Sequence, residues 1–285
     1  MSHPIVAKSS FLARSVSRWR STRLPGKVAV IVLLLYVFVA IAGPWLAPYD
    51  PNKTGVGGFL EGPSTDNLLG TDELGRDQLS RILSAARIAV VVAAEPILFA
   101  LVVGGTIGVI AGFIGGIVDL LIIRAMDIIF AFPTILLAIL LVAVLGPSLN
   151  NAMLAIGIVY VPRFARIARS STLTVRHRPF MEAAQIAGIG PVRRVLRHVV
   201  PNILTPLIIL AALSMSTAQL TYATLSFLGL GTSPPQADYG SMLSRGSGLL
   251  GFAPWLVYFP GIALVLFIVM LNIAGDAVRD SSERN

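Results

Sequence analysis

The sequence predicts an all-α integral membrane protein with six transmembrane helices, and three observations carry that expectation. Hydrophobic residues make up 55% of the chain and charged residues 13%, against about 45–50% and about 25% in soluble domains. The apolar residues gather into runs long enough to cross about 30 Å of hydrocarbon as helices. Lysine and arginine favour one side. On a six-span reading six lie in the amino tail, one at the first inner turn, eight in a single loop and two in the carboxyl tail, 17 of the chain's 22. Cytoplasmic segments collect these residues, so both termini are expected in the cytoplasm, and the reversed topology inverts the bias.

Residues 1–27 form a basic tail with Lys8, Arg14, Arg18, Arg20, Arg23 and Lys27 and no acid among them. The first span covers 28–47; its length and the Gly43-Pro44 context argue against a cleaved signal. Residues 48–86 are polar and turn-rich and suit the extracytoplasmic side. The core, 87–276, holds five further spans. The second, about Ile88 to Phe113, leads into Gly104, Gly108, Gly112 and Gly116, a four-residue ladder read as a helix-packing face. Asp119 and Arg124 are expected in a short inner turn, and the third span runs on to about Leu145, carrying Asp127 and Pro133. Gly146-Pro147-Ser148 turns into a fourth span from Asn150 to Val161 and beyond. The fifth follows Pro201 and ends near Leu225. A Gly/Pro/Ser-rich outer segment, Gly229 to Gly251, precedes the sixth span, Pro254 to Gly275, and residues 277–285 end the chain as a cytoplasmic tail.

The functional signal is the loop of about 163–200, with eight arginines between Arg163 and Arg197. Each arginine at a bilayer centre costs roughly 2.5–3.5 kcal/mol on insertion scales, which places the loop in water. Within it Pro179 opens a short helix, Glu182 puts a carboxylate in its first turn, and Gly188 closes it. Small residues at 183, 184, 187 and 188 give that helix a low profile suited to a groove on another protein. Beyond Gly190-Pro191, Val192, Val195, Leu196 and Val199 fall on one helical face and Arg193, Arg194 and Arg197 on the other. Either this is a docking loop or an ordinary cytoplasmic loop obeying charge rules.

The spacing Glu182-Ala183-Ala184, three residues, Gly188, nine residues, His198, one residue, Val200-Pro201 resembles the EAA loop of importer permeases that work with a separate ATP-hydrolysing subunit. His198 and Val200 replace two residues of the usual Ile-x-Leu-Pro ending, leaving Gly188 and Pro201 in register. Two further strings sharpen the resemblance: Leu69-Gly70-Thr71-Asp72-Glu73-Leu74-Gly75-Arg76-Asp77, and Ser226-Phe227-Leu228-Gly229-Leu230-Gly231 with Pro234-Pro235 and Tyr239-Gly240. Both are similar to segments of the C-type permease subunit of dipeptide and oligopeptide ABC importers, which often has tryptophan where Tyr239 stands; Asp127 through Pro133 also fits. By its residues alone the first string reads as turn chemistry.

The resemblance implies the type I ABC importer permease (MetI-like) fold. It also implies a heterodimer with a B-type permease, two cytoplasmic ATPase subunits or domains, and an extracytoplasmic substrate-binding protein. Residues about 180–190 would then be the coupling helix, with Glu182, Ala183, Ala184, Gly188 and Pro201 as its ATPase-coupling residues. ATP and Mg belong to the ATPases. No cofactor, metal, catalytic group or nucleic acid is expected in this chain, which lacks cysteine and has neither a phosphate-loop motif nor histidines spaced for metal. Glu95 lies within the second span: it either lines the translocation path, attracting a cationic substrate end, or snorkels outward or pairs with an arginine. Asp127 is expected to pair with Arg124. A secondary transporter or channel driven by an ion gradient is the alternative, but it calls for paired buried carboxylates or inverted repeats. An intramembrane hydrolase calls for a convergent serine, histidine and acid.

Overall fold

The computed structural model describes residues 24–283; the arginines and lysines of the amino tail before that, and Arg284, lie outside the described residues. The chain is helical throughout its spans. Helix α1 is Leu24–Leu46, α2 Gln78–Ile114, α3 Gly116–Phe130, α4 Thr134–Leu145, α5 Leu149–Arg176, α6 Pro179–Ile186, α7 Pro191–Arg194, α8 Val200–Phe227, α9 Tyr239–Ser247 and α10 Trp255–Glu283. Helices α2, α5 and α10 and the continuous run Pro191–Phe227 are each long and apolar enough to cross a bilayer, and α3 with α4 forms a broken fifth. Helix α1, 23 residues long, adds the sixth, since that length reaches about 35 Å.

The glycine ladder is the seam of the molecule. A side chain at Gly104 would sit 2.5 Å from the Val161 carbonyl oxygen, one at Gly108 would collide with the Ala165 carbonyl, and one at Gly112 would lie 2.8 Å from the Arg169 carbonyl. Helices α2 and α5 therefore pack backbone to backbone, the arrangement that small residues at four-residue spacing permit in lipid. Gly116 is not part of the seam. It has open space around it and a φ of +59°, and with Gly115 at +74° it makes two successive left-handed residues that end α2 and turn the chain into α3.

Two expectations change here. The inner turn assigned to Asp119 and Arg124 is helical, since both residues lie within α3. The third span is not a single rod either: α3 and α4 meet at 89°. Pro133, extended at φ −55° and ψ 130°, disfavours helical backbone at Phe132 and breaks the run there.

Polar side chains stitch the remaining spans. Tyr160 of α5 donates to Thr217 of α8 at 2.9 Å, and Ser216 of α8 to Asn272 of α10 at 2.6 Å. Tyr36 of α1 stacks on Phe267 of α10 with centroids 4.2 Å apart and shares a hydroxyl hydrogen bond with Tyr239 of α9.

Above the spans, residues 47–77 form a cap closed by charge. Asp77 caps α2 by accepting from the Ser80 amide at 2.8 Å and from the Asn67 amide group at 2.9 Å. Asp72 accepts from the backbone of Leu74 and Arg76, and from the Arg76 guanidinium at 2.7 Å, with Arg81 at 3.4 Å. Arg76 is only 2% exposed. The turn chemistry read from this string is present, with Gly70 and Gly75 at φ +78° and +65°, but the turns also serve to bury an ion pair. Removing Asp72 would leave the buried Arg76 with only the longer contact to Glu73 at 3.5 Å and Arg81 with only backbone carbonyls, a destabilising loss of the cluster's central acceptor. Trp255 at the start of α10 donates to the Thr71 carbonyl at 3.2 Å, and Arg245 of α9 approaches Glu73 at 3.5 Å, so the cap is fastened to three helices.

The seam predicts a ranking of substitutions. Gly108→Val should destabilise the folded chain by about 2–3 kcal/mol through overpacking, whereas Gly116→Ala should cost about 1 kcal/mol of backbone strain alone. Thermal unfolding in detergent measures both, and equal losses would remove the packing account.

Candidate functional site

The arginine-rich loop is built from the end of α5 onward. As α5 leaves the apolar core its arginines meet carboxylates of α3. Arg169 forms a two-pronged pair with Asp119, its second prong at 2.6 Å, and Arg166 pairs with Asp127 at 3.1 Å while lying 4.3 Å over the Phe130 ring. The two-pronged geometry fixes orientation as well as distance. Asp127 thus pairs across to α5 and not with Arg124 on its own helix, which corrects the local pairing expected from sequence. Three residues along one helix were within reach, but α3 lies against α5, and both of its carboxylates, Asp119 and Asp127, meet arginines of α5.

Helix α6 then stands where the short helix was expected. Pro179 occupies its first turn, Glu182 follows near the positive end of the helix dipole, and Gly188, at φ +74°, ends it. The Gly188 amide donates to the Gln185 carbonyl at 3.0 Å and the Ile189 amide to the Ala184 carbonyl at 3.0 Å, the paired bonds of a Schellman stop. Met181 and Ala184 are buried against the chain's own helices, while Glu182, Ala183 and Gly188 are exposed. Ala184 therefore seats the helix on its own chain and does not share the outward face with Ala183.

The most exposed large apolar side chain among the described residues is Ile186, at 88%, and Val192 and Leu196 follow it beyond the turn at 71% and 65%. All three are large apolar side chains left exposed in a loop otherwise rich in arginine. Sequence reasoning missed Ile186. The signal available was position alone: Ile186 follows Glu182 by four residues and so shares its helical face.

The helical face expected beyond Pro191 divides. Val199 is buried, while Val192 and Leu196 are exposed. The cause lies in the backbone: residues Val195–Val199 take a wider π turn, in which the Val200 amide reaches back to Val195. Pro201 has no amide to donate, and its ring crowds the carbonyl four residues earlier, a conflict the widened turn relieves. Pro201 itself lies exposed, inside one helical run from Pro191 to Phe227. Arg194 ties this run back to α6 by donating to Gln185 at 2.8 Å, with its guanidinium 5.7 Å from the Phe113 ring at the end of α2.

Glu95 lies elsewhere, on an exposed stripe of α2 with Arg87, Val91, Leu98 and Val102. Among the described residues it makes no ion pair, and Arg87, two turns earlier, makes none. The chain thus carries two separate candidate sites, a rigidly held loop surface and a single carboxylate on an open helix face.

Comparison with known proteins agrees with this arrangement. Residues 104–285 match the family described as binding-protein-dependent transport system inner membrane components, and residues 16–63 match the N-terminal transmembrane domain of oligopeptide transport permease C. The chain is 41% identical to a dipeptide transport system permease protein of Alkalihalophilus pseudofirmus, over 94% of this chain and 90% of that one. It is 40% identical to a di/tripeptide transport system permease protein of Pseudomonas aeruginosa, over 88% and 85%. It is 35% identical to a glutathione transport system permease protein of Pectobacterium atrosepticum, over 89% and 84%. Its fold matches an inward-facing structure of the MetNI methionine ABC transporter with a TM-score of 0.57 at 18% identity, covering 70% of this chain and 95% of that one. The helical architecture is therefore that of a multi-pass transport component, and the chain belongs to the family of binding-protein-dependent transport system inner membrane components.

Proposed function

We propose that this chain is the C-type permease half of an ATP-driven importer for short peptides, and that α6 is the surface through which a partner ATPase drives it. The observation that carries the proposal is the form of α6: an apolar knob, Ile186, projecting from a short helix whose orientation is fixed at both ends. The Arg169–Asp119 pair precedes it and the Arg194–Gln185 bond follows it. Burying Ile186 in a groove of another subunit would contribute roughly 1.5–3 kcal/mol, and the exposed arginines around it would set orientation and encounter rate. Force applied to α6 has two rigid exits, back through α5 and onward through α8.

In this reading a B-type permease supplies the other half of the pathway, two ATPase subunits or domains bind ATP and Mg below the membrane, and a binding protein delivers substrate above it. Both termini then lie in the cytoplasm with the loop. Short peptides are the substrate class because the relatives above are named for di- and tripeptides and glutathione. Such molecules carry a free amine, which a carboxylate on a pathway-facing helix would attract, and Glu95 is the candidate. This chain performs no covalent chemistry; it provides position and passage.

Two outcomes are expected. Ile186→Asp or Gly188→Trp should reduce recovery of the ATPase with this chain on co-purification and lower ATP-dependent uptake in proteoliposomes by at least about tenfold, while membrane insertion persists. Unchanged co-purification and uptake would remove α6 from the interface. Glu95→Gln should lower uptake of peptides with a free amino terminus and leave assembly intact; an equal loss of folded protein would assign Glu95 a structural role.

A further inference from the structure

Helices α1 and α2 touch at Gly43, where a side chain would lie 3.0 Å from the Leu83 carbonyl oxygen, and two cavities open beside that contact. One, of about 540 Å³, is lined by Tyr49, Asp50, Ser80, Ser84 and Arg87 among others. The other, of about 440 Å³, is walled by Val37, Ile41, Trp45, Val90 and Val91. Arg87 and Pro44 line both, so a chamber that includes polar groups and an apolar trough adjoin at Arg87. Both volumes fall in the range of about 300–1,000 Å³ typical of small-ligand sites.

Position gives the pair of cavities its meaning. From Ile88 to Ile114 the only charged residue of α2 is Glu95, so Arg87 stands at the outer edge of the hydrocarbon, where a long basic side chain extends to the headgroups. Trp45, 82% exposed, is at the same boundary, the usual depth for an indole. Arg87 makes no ion pair among the described residues. Asp50, the one carboxylate lining the polar chamber, accepts from the Asn52 amide at 2.8 Å and has a second oxygen to offer.

We propose that this groove binds a phospholipid with a primary-amine headgroup from the outer leaflet. Its phosphate sits on Arg87, since charge-assisted contacts to phosphate are the strong ones. Its ammonium points toward Asp50, and one acyl chain follows Val37, Ile41, Val90 and Val91 down the trough. The apolar trough and the exposed indole select a lipid over a soluble phosphate, and the carboxylate selects a zwitterionic amine headgroup over a purely anionic one. The bound lipid would lie along the α1–α2 contact and add to the Tyr36 contacts that hold α1 to α9 and α10.

The test uses the full chain purified with its co-expressed partners, stripped of lipid and titrated with phosphatidylethanolamine, phosphatidylcholine or phosphatidylglycerol of matched acyl chains under native mass spectrometry. Phosphatidylethanolamine should be retained best, and Arg87→Gln should weaken its retention by about tenfold, the loss of one charge-assisted contact. Asp50→Asn should bring phosphatidylethanolamine down to the level of phosphatidylcholine, and Val91→Trp should reduce all three lipids with every charge in place. Excess phosphorylethanolamine, which lacks acyl chains, should displace nothing. The proposal is overturned if the three lipids bind alike, if phosphatidylglycerol binds best, if Arg87→Gln leaves retention unchanged, or if phosphorylethanolamine competes. Loss of a partner subunit from the purified Arg87→Gln complex would also overturn it, by assigning the groove to protein.

Discussion

Guanidinium groups cannot stay in hydrocarbon, and this chain turns that constraint into architecture. At the end of α5 a run of arginines forces the helix out into water, and carboxylates of α3 receive them there: Asp119 takes Arg169 and Asp127 takes Arg166. These pairs hold the start of the loop. Met181 and Ala184 seat α6 on the chain's own helices, and these pairs stiffen the end of α5 that leads into it. The Arg194–Gln185 bond does the same at the far end. The loop is charged because it lies outside the membrane, and the pairing of those charges makes it stiff.

The same division between contact by backbone and contact by charge runs through the rest of the molecule. In the apolar layer α2 and α5 approach through glycines, because dispersion and close fit are what remains when lipid is as apolar as leucine. In the outer layer the cap closes on a buried cluster of Asp72, Arg76 and Arg81. Helix α2 belongs to both layers. It begins within the cap under Asp77, continues along the glycine seam and ends beside Arg194, so cap, spans and loop share one long element.

The sequence carried much of this plainly. Apolar runs of bilayer length and the four-residue spacing of Gly104, Gly108 and Gly112 read directly as spans and a packing face, and the short helix between Pro179 and Gly188 follows from its punctuation. What stayed hidden depended on the third dimension. The bend at Pro133 could not be told from a tolerated proline such as Pro96 or Pro162, which lie inside continuous helices. The partner of Asp127 depended on α3 lying against α5, which local spacing does not show, so the local guess of Arg124 failed. Gly116 fitted the ladder by spacing and left it because Gly115 and Gly116 turn the chain together. Arg76 looked like a turn residue because burial of a charge is set by what folds over it, and residues 48–70 have no periodicity to show that they do.

The central claim is that α6, as the proposed ATPase-docking surface, moves the spans because the Asp119–Arg169 pair joins α3 to α5, the helix that leads into it. The direct measurement is the ratio of substrate transported to ATP hydrolysed by the assembled transporter in proteoliposomes, compared between the wild-type chain and Asp119→Asn. The account predicts that hydrolysis continues while transport falls, lowering the ratio. A ratio equal to that of the wild-type chain, with the complex intact, would contradict it.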